Sequence, residues 1–241
     1  MEYKRLRFRQ YFADQSNGHY GGYPRINVPY KKVEYTCRHG HKHDAYYYMW
    51  YEKARDVIQI YFKETSSKSQ WRANFNFPDS YYDRFQFDGK DIQLKVAQGW
   101  MDLYCALKHI IRDEYKVLID AYGEKEVEII GWSLGSAIAQ LCAQDLFFNY
   151  GVKSHLFTYG SVKPWAGKDP DMREYLGKCT KECYNFYDHN DIVGYLPPFH
   201  NYFAMNHYKV HQDKFNIFRL FNPQKYHTEY WKPELYKDIE E

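Results

Sequence analysis

The stretch Val127-Glu128-Ile129-Ile130-Gly131-Trp132-Ser133-Leu134-Gly135, running on into Ser136 to Cys142, decides the fold. Val127 to Ile130 is apolar except for Glu128 and predicts a strand. Leu134, Ala137, Ile138, Leu141 and Cys142 recur at helical spacing. Between strand and helix stands G-x-S-x-G, with Ser133 at the sharp turn. A bare G-x-S-x-G arises by chance in roughly one chain in ten of this length, so the flanking elements carry the weight. Strand, tight turn and helix are the context of a nucleophile elbow. The glycines leave room for a strained serine, and the helix N-terminus turns free N–H groups toward an oxyanion formed there. A serine that only caps the helix is the alternative reading of the same residues.

Working outward, 241 residues with 44% hydrophobic and 27% charged content fit one globular domain over 1–241. A net charge of +2 gives no basis for nucleic-acid binding or for a strongly anionic membrane. Aromatic content is 20%, with 27 tyrosines, which fill a core while keeping a polar tip. No apolar h-region follows the basic stretch Met1 to Arg9, and no segment has the length to span a bilayer, so a cytoplasmic location is expected. Five cysteines, an odd number, favour reduced thiols. Cys105 and Cys142 fall on apolar helix faces and are expected in the core, while Cys179-x-x-x-Cys183 lacks zinc-knuckle spacing.

Residues 1–36 are polar and tyrosine-rich and read as peripheral. Tyr46 to Tyr51 and Val57 to Phe62 predict a hairpin across the polar turn Glu52 to Asp56. Apolar positions 100, 103, 104, 107, 110 and 111 predict a helix from Trp100. The elbow helix should end near Gly151. Leu156 to Tyr159 and Cys183 to Tyr187 read as strands, Asp171 to Leu176 as a helix, and Asn222-Pro223 as the start of a C-terminal helix. Alternating strands and helices imply an α/β fold, a mixed and mostly parallel sheet with helices on both faces.

A hydrolase of this architecture orders its triad as Ser, acid, His. Asp191, just beyond a predicted strand, is where the acid belongs, with Asp188 as the near competitor. A strand-terminating, turn-capping aspartate is the plainer reading of either.

Several further segments carry a family pattern in order. Phe62-Lys63-Glu64-Thr65 is similar to F-R-G-[ST], and Trp71 to Phe77 to W-x-x-N-[LF]-x-F. Val96 to Trp100 is similar to V-H-x-G-F, with the histidine replaced. The elbow resembles G-H-S-L-G-[GA]-A-x-A with Trp132 in place of histidine, and Tyr159-Gly160-Ser161 resembles [FY]-G-[SA]. Asn190 to Val193 with Leu196-Pro197-Pro198 is similar to N-D-x-V-P-x-L-P-P, Gly194 replacing a proline. Together these resemble the class 3 lipases, α/β-hydrolases, over about residues 55 to 231. The resemblance implies a serine ester hydrolase with Ser133 as nucleophile and Asp191 as orienting acid. Its oxyanion hole would be the N–H of Leu134 with Thr65. His227, in Tyr226-His227-Thr228-Glu229-Tyr230-Trp231, resembles the catalytic H-x-x-Y-[FW]; His207, in Asn206 to Val210, is the alternative base. The base must take the Ser133 proton through one ring nitrogen while the other donates to Asp191.

Glu64 stands where the family has glycine, beside the oxyanion donor, and a carboxylate there would oppose developing negative charge. The segment Trp71 to Phe77 lacks a clear apolar face, because Arg72 and Asn74 flank Ala73, which argues against strong activation at oil–water interfaces. Cys37-Arg38-His39-Gly40-His41-Lys42-His43 would put three histidines on one face of a strand; a solvated segment is favoured over zinc. The expectation is therefore an esterase or lipase with no cofactor and no metal, a small-molecule or lipid ester as substrate, and only peripheral lipid contact. A catalytically weak lipase-fold binding or host-interaction protein, or an acyltransferase with the same triad, are the alternatives. Acyl chain length, head group and oligomeric state are left open by the residues.

Overall fold

The computed structural model describes residues 31–37, 40–63, 79–205, 208–209, 226–227 and 230. The chain opens with strands β1 (Lys31–Thr36), β2 (Lys42–Glu52) and β3 (Val57–Phe62). The hairpin β4 (Asp79–Phe87) and β5 (Lys90–Ala97) follows, then helix α1 (Gln98–Tyr122). Next come β6 (Glu126–Trp132), α2 (Leu134–Tyr150), β7 (Ser154–Tyr159), β8 (Trp165–Ala166), α3 (Pro170–Lys178) and β9 (Thr180–Tyr187). A 3-10 turn, Ile192–Tyr195, and the short strands β10 (Tyr202–Phe203) and β11 (Tyr208–Lys209) complete the described elements.

The main sheet has the order β1-β2-β3-β6-β7-β9-β11. β2 and β3 pair antiparallel as the expected hairpin over Glu52 to Asp56, β1 adds antiparallel to β2, and β3, β6, β7, β9 and β11 run parallel. All six residues of β3 are buried, as expected for a strand inside a parallel sheet covered on both faces. Because side chains alternate along a strand, one face carries Ile58, Ile60, Val127, Ile129 and Leu156 against α2, while α1 packs on β1 and β2. The opposite face carries Tyr61, Ile130, Phe157, Tyr159 and Phe186, and Tyr230 packs into that aromatic layer. Among the described residues, no helix is long and apolar enough to cross a membrane.

β4 and β5 form a second, four-stranded sheet with β8 and β10. The sequence reading placed no strand here. The signal was present: Asp88-Gly89 joins the strands with φ of 49° and 75°, the positive pair of a two-residue hairpin turn.

Cys37 to His43 is not a single strand. The Cys37 N–H donates to the His41 carbonyl at 2.9 Å, so the segment turns β1 into β2. His41 and His43 lie with ring centroids 6.4 Å apart, and His39 is outside the described residues. No group of three or more His, Cys, Asp and Glu among the described residues is arranged to hold a metal ion. Cys142 is buried as expected, whereas Cys105 is only partly covered. Burial pushes the Cys179 and Cys183 thiols up to about 12, which keeps them unreactive. The expected helix at Asn222-Pro223 lies outside the described residues.

Candidate active site

Ser133 sits between β6 and α2 with φ 57° and ψ −125°. A non-glycine residue held at such angles costs on the order of 1–3 kcal/mol and persists only where its surroundings enforce it. They do: the Ser133 N–H donates to the Tyr159 carbonyl at 3.0 Å, and the Ser133 carbonyl accepts from the Ser136 N–H at 3.1 Å and from the Ser136 hydroxyl. A Cβ on Gly131 would strike the Gly135 backbone, and one on Gly135 the Phe62 carbonyl, so the turn closes only with glycine at both places. The Ser133 side chain makes no capping bond to α2, which removes the plain helix-cap reading. The residue is buried, at 3% exposure, rather than standing on an open turn.

Asp191 follows β9 and caps the 3-10 turn, its Oδ1 accepting from the Val193 N–H at 2.9 Å. Its Oδ2 lies 2.8 Å from Nδ1 of His227. The carboxylate is the acceptor in that pair, so Nδ1 carries the proton and Nε2 presents a lone pair. Nε2 is buried and has no hydrogen-bond partner among the described residues. The Ser133 hydroxyl therefore does not donate to it here, short of the expected three-residue chain; such bonds often tighten only around bound substrate. Asp188, the competing acid, accepts from the Asn190 N–H at 2.7 Å and shapes the turn instead.

Three groups that the sequence reading did not assign complete the arrangement. Tyr230 donates its hydroxyl to Asp191 Oδ2 at 2.7 Å and accepts from the Asp188 N–H at 2.9 Å. Burial, and then the charge of Asp191, push its phenol well above the ordinary value, so it stays a donor. Trp132 donates its indole N–H to the His227 carbonyl at 3.0 Å and stacks on the imidazole, centroids 5.1 Å apart and planes 27° apart. Gly160, at φ +53°, lets the triad atoms close in: a Cβ there would lie 2.8 Å from Asp191 Oδ2, 2.9 Å from Tyr230 Cε2 and 3.0 Å from His227 Cε1. The motifs around 132, 160 and 230 marked these positions without disclosing what each touches.

The parallel strands deliver this site by ending on one edge. β6 supplies Trp132 and Ser133, β7 leads into Gly160, and β9 leads into Asp188 and Asp191. The end of β3 comes against Gly135 through the Phe62 and Lys63 carbonyls. Leu134 is the first residue of α2, where a backbone N–H has no partner one turn back. Thr65, Glu64, the segment Trp71 to Phe77 and His207 lie outside the described residues. His227 is in contact with Asp191. A strained serine, an unpartnered imidazole nitrogen and an acid-held ring can together perform nucleophilic acyl transfer.

Known proteins resemble this chain in sequence and in fold. The sequence model of the class 3 lipases matches residues 59–201. A lipase of Rhizomucor miehei is 31% identical over 148 residues, 59% of this chain and 38% of that protein, so the chain spans about two fifths of the length of that relative. The triacylglyceride lipase structure from the same organism superposes with TM-score 0.64 at 20% identity, covering 87% of this chain and 80% of the other. A lipase from Rhizopus microsporus var. chinensis superposes with TM-score 0.64 at 16% identity, covering 89% and 77%. The fold is that of an α/β-hydrolase.

Proposed function

Since the chain belongs to the class 3 lipase family, we propose that it is a serine ester hydrolase cleaving acyl esters of lipids or smaller alcohols. The observation that carries this reading is the pair His227 Nδ1 and Asp191 Oδ2 at 2.8 Å, with Nε2 buried and without a partner among the described residues, together with the strained backbone of Ser133 at the turn after β6. Ser133 attacks the ester carbonyl while His227 Nε2 takes its proton. Asp191 fixes the tautomer and faces the imidazolium that forms. The N–H of Leu134, with Thr65 as the resemblance implies, holds the oxyanion. Collapse expels the alcohol, which His227 protonates. Water then attacks the acyl-enzyme along the same path.

The polar segment Trp71 to Phe77 favours soluble short- or medium-chain esters over emulsified long-chain triglyceride, with lipid contact limited to the periphery. The test is labelling with a fluorophosphonate probe alongside p-nitrophenyl ester turnover. Ser133→Ala should abolish labelling and lower turnover on the order of 10³-fold or more. Undiminished labelling of that variant would remove Ser133 from the role.

A further inference from the structure

We infer that Trp132 is the positioning residue for His227, gripping the base from the β6 side through both its ring face and its N–H; the inference rests on His227 being the base. Two independent contacts reach one residue. The indole N–H bonds the backbone carbonyl of His227 at 3.0 Å, fixing the segment that carries the base. The indole face lies along the imidazole at 5.1 Å and 27°, fixing the rotation of the ring. On the other side Asp191 holds Nδ1, and Tyr230, three residues further on, is bonded to both Asp188 and Asp191. The base is thus clamped between the ends of two strands, β6 and β9.

Trp132 is not simply filler of the aromatic face. A packing residue can leave its ring at any angle against its neighbours, and its N–H can take any acceptor. Here both the ring and the N–H go to His227. Trp132 ends β6 and Ser133 follows it directly, so the nucleophile and the clamp on its base are adjacent in the chain and cannot shift independently. Once His227 accepts the Ser133 proton it is a cation lying within about 6 Å of an indole, the best π-face for one. The contact therefore strengthens as the transition state is approached and should act on the chemical step more than on substrate binding. The histidine expected at this position from the family pattern has a smaller ring face; in this chain the larger ring takes its place.

The experiment compares Trp132→Leu and Trp132→Phe with the unaltered protein on a soluble p-nitrophenyl ester, with Ser133→Ala and His227→Ala in parallel. Trp132→Leu should lower kcat by about fivefold to 400-fold with KM little changed, because it loses both the cation–π contact and the hydrogen bond. The His227 Cε1–H resonance, assigned by its disappearance in His227→Ala, should lose its upfield ring-current displacement in Trp132→Leu and keep part of it in Trp132→Phe. Trp132→Phe, which keeps a ring and loses the N–H, should lower kcat by about twofold to twelvefold, the span of one hydrogen bond. A Trp132→Leu enzyme with kcat within twofold of the original, or an unmoved Cε1–H resonance, overturns the inference. Should the leucine variant not fold, Trp132→Phe decides, and an unchanged kcat there overturns it. If His227→Ala keeps its turnover, the assignment of the base fails instead, whatever the tryptophan variants do.

Discussion

Gly160→Ala tests the packing of the triad without touching a member of it. The φ of +53° alone puts alanine in left-handed backbone, at about 1–2 kcal/mol. The added methyl also meets Asp191 Oδ2 at 2.8 Å, Tyr230 Cε2 at 2.9 Å and His227 Cε1 at 3.0 Å. None of the three is the loose end of a flexible chain, because each is tied by the bonds among Asp191, Tyr230 and His227. Nor can the backbone back away freely, since the Gly160 N–H is bonded to the Phe186 carbonyl at 3.0 Å. Overpacking of this kind costs about 1–3 kcal/mol more. The sum, about 2–5 kcal/mol, lowers the unfolding midpoint by about 2–4 °C per kcal/mol in a domain of this size. An imidazole moved by roughly 1 Å loses on the order of 10²-fold in turnover. Gly151→Ala is the control: φ is +70° and nothing lies within 4 Å of the new Cβ, so it should carry the backbone cost alone and leave turnover intact. Thermal unfolding and ester hydrolysis on both variants measure the two parts. A Gly160→Ala enzyme with normal turnover and a midpoint no lower than that of Gly151→Ala would refute the reasoning.

Other outcomes follow from separate parts of the molecule. Asp191→Asn should lower kcat by roughly 10⁴-fold in steady-state assays while the protein stays folded, because the amide favours the wrong imidazole tautomer. Asp145, buried on α2, receives Arg112 Nε of α1 at 3.0 Å, and the Arg112 side chain is 25% exposed. Asp145→Ala should therefore cost about 2–3 kcal/mol in urea unfolding, less than a fully buried pair, and leave kcat unchanged. Lys90 and Lys178 hold the Glu174 carboxyl at about 2, below its ordinary 4.5. A lowered folded value means stabilisation that is full above about pH 4.5 and lost as pH falls toward about 2, so Glu174→Gln should flatten the stability curve in that window.

The elements around the elbow were legible because their patterns are local. The buried run before Ser133, the helical spacing after it and Gly151 as a left-handed cap each announce themselves within a few residues. The order of Ser133, Asp191 and His227 was legible from motif shape. Trp132 shows what was not. Its contact spans 95 positions, and no spacing rule states that the residue before a nucleophile will cover the base. Tyr230 is similar, 39 positions from the carboxylate it supports. The β4–β5 hairpin was missed for another reason: charged and aromatic residues such as Asp83, Arg84 and Phe85 blur the alternation, although Asp88-Gly89 marked the turn. Cys37 to His43 was compatible with either a strand or a loop by its residues, and Gly40, at φ +81°, turns the chain there.

The clamp between β6 and β9 joins residues far apart in synthesis. Trp132 leaves the ribosome 95 positions before His227, which at the usual pace of translation is roughly 5–20 s. Through that interval the indole of Trp132 lacks the carbonyl and the ring that it contacts in the finished fold. On the proposed assignment of Ser133, Asp191 and His227, ester hydrolysis begins only when the last of the three has been made and has docked.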